Sequence, residues 1–203
     1  MIFYKVYLKI RLSMNQSVCT KRKWGCLWYE LHHFESGLIF GPFLESECFP
    51  IENITLYKNI GNGVKMVEVV LCRPNTLKEP VLWMVEAKHS SPHPGNVQDF
   101  SDFIHEIKEK MVNALSLCFA AILKRHPVDK GIVPASIQSI DLSLCKVRCI
   151  LVLNGYPEAW LPPIQDALRA SLSPTNKTWN LDPNSVVVLN ENLAARYRLL
   201  QAT

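Results

Sequence analysis

The chain has 203 residues, with 22 Lys and Arg against 18 Asp and Glu, a net charge of +4. Apolar residues make up 48% and charged residues 20%, ordinary globular usage that excludes disordered, collagen-like and coiled-coil chains. A chain of this length buries roughly 70% of its unfolded surface and needs no staple to hold a core.

Seven cysteines, an odd count without regular spacing, do not read as a secreted disulfide framework. There is no run of about 18 apolar residues, so no membrane span is expected. Lys5, Lys9 and Arg11 interrupt the apolar start in a way no secretory signal tolerates. A cytoplasmic protein is the expectation, and Met14 offers a second start that would leave residues 1–13 outside the native chain.

Residues 1–12 alternate as a strand does. Residues 14–53, with Lys21-Arg22-Lys23 and the aromatics Trp24, Trp28, Tyr29 and Phe34, read as short elements and loops, with one helix near 26–36. Strands are expected over 54–58, 64–73 and 81–88, separated by Asn-Gly turn chemistry at 59–63 and by the proline-bounded segment 74–80. A long helix follows over 97–124, its apolar stripe running from Phe100 through Ile104, Ile107, Met111 and Leu115 to Ile122. Asp99, Asp102, Glu106 and Glu109 lie off that stripe, and His126-Pro127 ends it. Then come a loop, a strand over 145–153, a helix over 158–172, a strand over 185–189 and a last helix over 191–201. The order is β-β-β-α-β-α-β-α. It implies an α/β (α+β) fold with a mixed sheet flanked by helices, one domain overall. Within it, 1–53 forms a basic, aromatic extension and 54–203 the α/β core.

Residues 64–73 and 81–88 should pair as a hairpin centred on Leu77. Glu68 lies nine positions before that centre and Glu86 nine after it. In that register the two glutamates face each other directly, with Cβ atoms about 4.5–5.5 Å apart. Lys88, two residues on, shares their face. Two carboxylates this close repel unless positive charge lies between them. Mg²⁺ suits such a pair, because it takes one or two carboxylates, keeps waters and adds phosphate oxygens. Both glutamates interrupt runs typical of doubly covered strands, where a charge is costly unless paired or used.

At these residues the chain resembles the PD-(D/E)xK nuclease superfamily. That family carries an acid on the second core strand and an E-x-K tripeptide on the third. Glu86-Ala87-Lys88 matches the tripeptide, and Glu68 stands where Asp is usual. The long helix and the strand at 145–153 follow in the family's order, so the likeness spans 54–153. It implies a restriction-endonuclease-like core and Mg²⁺ or Mn²⁺ held by Glu68, Glu86 and the carbonyl of Ala87. Lys88 would assist the attacking water. Gln98 matches a glutamine found in some branches, and His89 and His93 border the site loop. The family's upstream acid has four contenders: Glu30, Glu35, Glu45 and Glu52.

Two functions follow as expectations. One is a metal-dependent nuclease on nucleic acid, DNA before RNA. The other is a non-catalytic module of the same fold that binds a protein or nucleic acid. No membrane partner is expected, and a homodimer is compatible with either. Cys19, Cys26, His32 and His33 lack the paired spacing of a zinc site. No Walker A, G-x-G-x-x-G or G-x-S-x-G motif is present. The charge is uneven: residues 1–25 hold six of the basic residues and no acid, so the remainder is net −2. Lys21, Arg22 and Lys23 are therefore the candidates for contacting a nucleic-acid backbone.

Overall fold

The computed structural model describes residues 8–12, 16–23, 26–33, 36–53, 57, 60, 63–125 and 133–200, and within 8–33 the backbone alone. Among these residues, nine strands form two sheets. The first is an antiparallel meander of β1 (Leu8–Leu12), β2 (Gln16–Lys23), β3 (Cys26–His33) and β4 (Leu38–Leu44). Lys23 pairs with Cys26, the pair at which the antiparallel β2–β3 ladder ends. The helix expected near 26–36 is thus a strand. Leu27, Tyr29 and Leu31 alternate with Trp28, Glu30 and His32, a period of two that the aromatic residues favour in a pleated sheet.

The second sheet is ordered β5 (Cys48–Phe49), β6 (Val69–Pro74), β7 (Pro80–Lys88), β8 (Lys146–Leu153) and β9 (Val186–Asn190). β5, β6 and β7 are antiparallel neighbours, and β8 and β9 add in parallel. This is the mixed, helix-flanked sheet expected from the sequence. Two strand expectations change. Cys48–Phe49, not 54–58, is the neighbour of β6; Tyr57 is helical, and most of 54–58 lies outside the described residues. The strand expected from residue 64 begins only at Val69, and the chain from Val64 to Glu68 is irregular. The β6–β7 turn is built by Asn75, whose Oδ1 accepts the amides of Leu77 and Glu79, each at 2.9 Å. Lys78 closes it with φ of 62°.

Four helices follow: α1 (Val97–Ile122), α2 (Ala135–Gln138), α3 (Leu161–Trp179) and α4 (Glu191–Arg196). α1 carries the chain from β7 to β8 and α3 from β8 to β9, the crossovers that parallel neighbours require. α3 runs past the expected end at 172, through Pro174, and stops where Asn180 turns left-handed at φ 51°. The last helix ends early, at Arg196, and Leu200 forms an isolated bridge with Phe40.

The sheet is covered on both faces. On one, Val70, Cys72, Leu82, Met84, Cys149 and Leu151 pack with Ile104, Ile107 and Met111 of α1 and with Ile164 and Leu168 of α3. On the other, Val69, Leu71, Val85, Ala87, Ile150 and Val152 lie under Phe40 and Phe43 of β4, with Ala194 and Leu199. β4 therefore closes the second face, and a charge in the middle of β7, such as Glu86, is shut in from both sides.

Candidate active site

The β6–β7 ladder pairs Val69 with Val85 and Pro74 with Pro80, the register centred on Leu77. Glu68 directly precedes Val69, in the bend that leads into β6, and its charge acts on Glu86 at that end of the ladder. Glu86 follows Leu82 and Met84 at steps of two, which puts its carboxylate on the α1 face, where Lys110 meets it. The site lies inside the protein, as runs typical of doubly covered strands imply. Glu86 is 0% exposed and Glu68 7%. The physical reason is α1, which lies across this face.

α1 also brings the positive charge. Lys110 Nζ lies 2.6 Å from Glu86 Oε1 and donates a hydrogen bond to it. Lys88 Nζ stands 3.6 Å from the same oxygen and 3.1 Å from Glu106 Oε1 of α1. The cluster thus alternates in sign from the buried Lys110–Glu86 pair outward through Lys88 to half-exposed Glu106. Burial pushes the Glu86 carboxyl up to about 8; Lys110 opposes this, Glu68 adds to it and Lys88 again opposes it. Burial disfavours the Lys110 ammonium, but Glu86, with Glu68 and Glu52, outweighs that and holds it above the ordinary lysine value. Partial burial disfavours ionised Glu106, yet its hydrogen bond with Lys88 and the charges of Lys88 and Lys110 hold its pKa below the ordinary value.

Sequence reasoning missed Lys110 and put Glu106 off the buried stripe. The signal was there in part. Ile104, Ile107, Lys110, Ala114 and Cys118 recur at steps of three and four, and all five are buried. A lysine on that row calls for a buried acid across from it. Asn113 Nδ2 donates to the Lys65 carbonyl at 2.9 Å, and Lys65 Nζ meets Glu109 at 3.5 Å. These contacts tie α1 to the irregular segment that carries Glu68.

The other sequence candidates fall as follows. Ala87 is buried and paired with Val152 in the parallel ladder. Lys88 has a side chain 20% exposed and is the member of the set that reaches solvent. Gln98 is exposed and hydrogen-bonds Asp102 at 3.0 Å, along its own helix and not toward the carboxylates. His89 is exposed at the end of β7, and exposed His93 accepts the Gly95 amide through Nδ1. Lys21, Arg22 and Lys23 lie in β2, where only the backbone is described, as do Cys19, Cys26, Glu30, His32 and His33 of β2 and β3. Glu35 lies outside the described residues, and Glu45 is exposed after β4. Glu52, on the 3-10 turn Ile51–Asn53, is near enough to act on the charge of Lys110. That gives Glu52, among the upstream acids, an electrostatic link to the cluster.

Among the described residues no three His, Cys, Asp or Glu side chains are gathered to hold a metal ion. The buried Oε2 of Glu86, however, accepts no hydrogen bond. An unpartnered carboxylate oxygen within electrostatic reach of a second carboxylate fits a hard cation that takes two protein carboxylates and fills its other positions with water and substrate oxygens. No family model matches the chain, and no curated protein or solved structure is significantly similar to it.

Proposed function

We propose that this chain is a divalent-metal-dependent nuclease that hydrolyses phosphodiester bonds, in DNA before RNA. The observation that supports it is a buried Glu86 carboxylate within electrostatic reach of buried Glu68, with Glu86 Oε2 left as a buried acceptor without a donor. Glu68 and Glu86, with the Ala87 carbonyl, are the residues that would hold Mg²⁺ or Mn²⁺. When bound, such an ion supplies a water of lowered pKa and positive charge against the phosphate. Lys88, partly exposed and 3.6 Å from Glu86, would orient the attacking water or steady developing charge. Glu106 fixes the Lys88 ammonium from the helix side, at 3.1 Å. Lys21, Arg22 and Lys23 would grip the backbone through charge alone.

One observation favours a second reading, a non-catalytic module on this fold that binds a protein or nucleic acid. Lys110 already supplies positive charge to Glu86, at 2.6 Å. Incubating the protein with DNA and with RNA, each with Mg²⁺ or Mn²⁺, separates the two. The nuclease reading expects metal-dependent cleavage that drops about a hundredfold or more in Glu86→Ala and Lys88→Ala. Cleavage unchanged in both variants marks a contaminant and removes the reading. Binding without cleavage under every metal condition selects the module.

A further inference from the structure

The Lys110–Glu86 contact bears on how the site takes its metal. The ammonium lies 2.6 Å from Oε1, and the two side chains are 10% and 0% exposed. The other oxygen of the same carboxylate is buried and has no donor. Half of the carboxylate is therefore committed to an internal cation, while the other half is unused. Lys110 is not a surface residue that happens to reach inward. It extends from the buried row of α1, between Ile107 and Ala114, with apolar neighbours above and below. α1 is also fastened to the Glu68 segment through Asn113 and Lys65, so the helix cannot draw back without breaking those links. A divalent ion at Glu86 would stand within a few ångströms of this ammonium in a site shielded from water, where like charges repel strongly.

On the nuclease reading, we infer that Lys110 is a resident counter-ion: the metal must displace its ammonium from Glu86, and Lys110 thereby sets a low affinity for the divalent cation. Lys110 does not ligate the metal; it acts through Glu86. Lys88 is not equivalent, because its nearer acid is Glu106, at 3.1 Å against 3.6 Å to Glu86.

The test is a Mn²⁺ titration of the full chain, following free Mn²⁺ by electron paramagnetic resonance, in wild type, Lys110→Gln, Lys110→Met and Glu86→Gln. Glu86→Gln should lose binding. Lys110→Gln and Lys110→Met should bind about tenfold or more tightly than wild type. Wild-type binding that depends on Glu86 but gains nothing in either Lys110 variant overturns the inference and leaves the nuclease reading standing. No Glu86-dependent binding in any protein removes that reading, and the inference with it. Should the Lys110 variants fail to fold, wild type still decides. An amine-reactive ester should label Lys110 more with saturating Mg²⁺ than without it, as read by mass spectrometry. Equal labelling, with Mg²⁺ bound, means that the ammonium stays in place and sinks the idea.

Discussion

A lysine inside the apolar row of a helix is tolerated only with a partner, and Lys110 finds it in Glu86. Removing one member of a buried pair leaves the other charge uncompensated, so Lys110→Ala should lower the unfolding free energy by about 3–5 kcal/mol in urea titrations. The double variant Lys110→Met with Glu86→Leu should recover most of that loss, because the pair contributes little net stability once desolvation is counted. If the double variant is as unstable as the single one, the loss comes from packing and not from charge. The protonation of Glu86 gives a second prediction. Its carboxyl is raised from 4.5 to about 8, chiefly by burial, so between those values the folded chain holds more proton than the unfolded chain. Stability is then greatest at the acid end of this window and falls as pH rises through it, by at most about 1.4 kcal/mol per pH unit. Unfolding midpoints of Glu86→Gln should lose this slope relative to wild type. An equal slope in both would assign the titration to another group.

At the scale of elements, α1 does two jobs. Its stripe seals one face of the sheet, and its Glu106 and Lys110 complete the charged cluster. The first job was legible from the spacing of Ile104, Ile107, Met111 and Leu115, and the helix appears where that spacing put it. The second was not, because periodicity says which face of a helix turns inward but not which strand residue lies beneath. Ile107→Ala, at a fully buried contact, should cost about 2–5 kcal/mol without altering the charged cluster. α3 shows where local signals mislead. Ser173-Pro174 reads as a stop, yet the helix continues to Trp179. Ile164, Leu168 and Leu172 anchor it on the sheet, and burial outweighs the missing amide of an exposed proline. Pro174→Ala should therefore stabilise the protein, by as much as about 3 kcal/mol, seen as a higher melting temperature. β3 is the opposite case: Leu27, Tyr29 and Leu31 alternate with Trp28, Glu30 and His32, a strand pattern where a helix near 26–36 was expected.

Across the whole molecule, the second face of the sheet makes the cluster a buried one. Phe40 and Phe43 of β4 pack on Val85 and Ala87, the residues flanking Glu86. Phe40→Ala should cost about 3–5 kcal/mol and melt with the rest of the chain in a single transition, since β4 shares that core. Charge is distributed on the same scale. Six basic residues and no acid lie in the first 25, while the remainder is net −2. If Lys21, Arg22 and Lys23 contact DNA phosphates, replacing all three with Gln should reduce the salt dependence of binding by a log–log slope of about 2.7. An unchanged slope would place the contacts elsewhere. By itself, the sequence determined the mixed sheet, the long helix and the β6–β7 register centred on Leu77. Those follow from local rules: a period of two, a period near four, and a turn of fixed length. Only the tertiary structure decided that Lys110 is the partner of Glu86, and that Glu52 and Glu106 belong to the same cluster. These depend on how α1 and the meander lie over the sheet. Residues 24 positions apart, such as Glu86 and Lys110, meet through packing that no local pattern encodes. The net charge of +4 likewise says little about the site, whose electrostatics are set by a few groups brought together away from water.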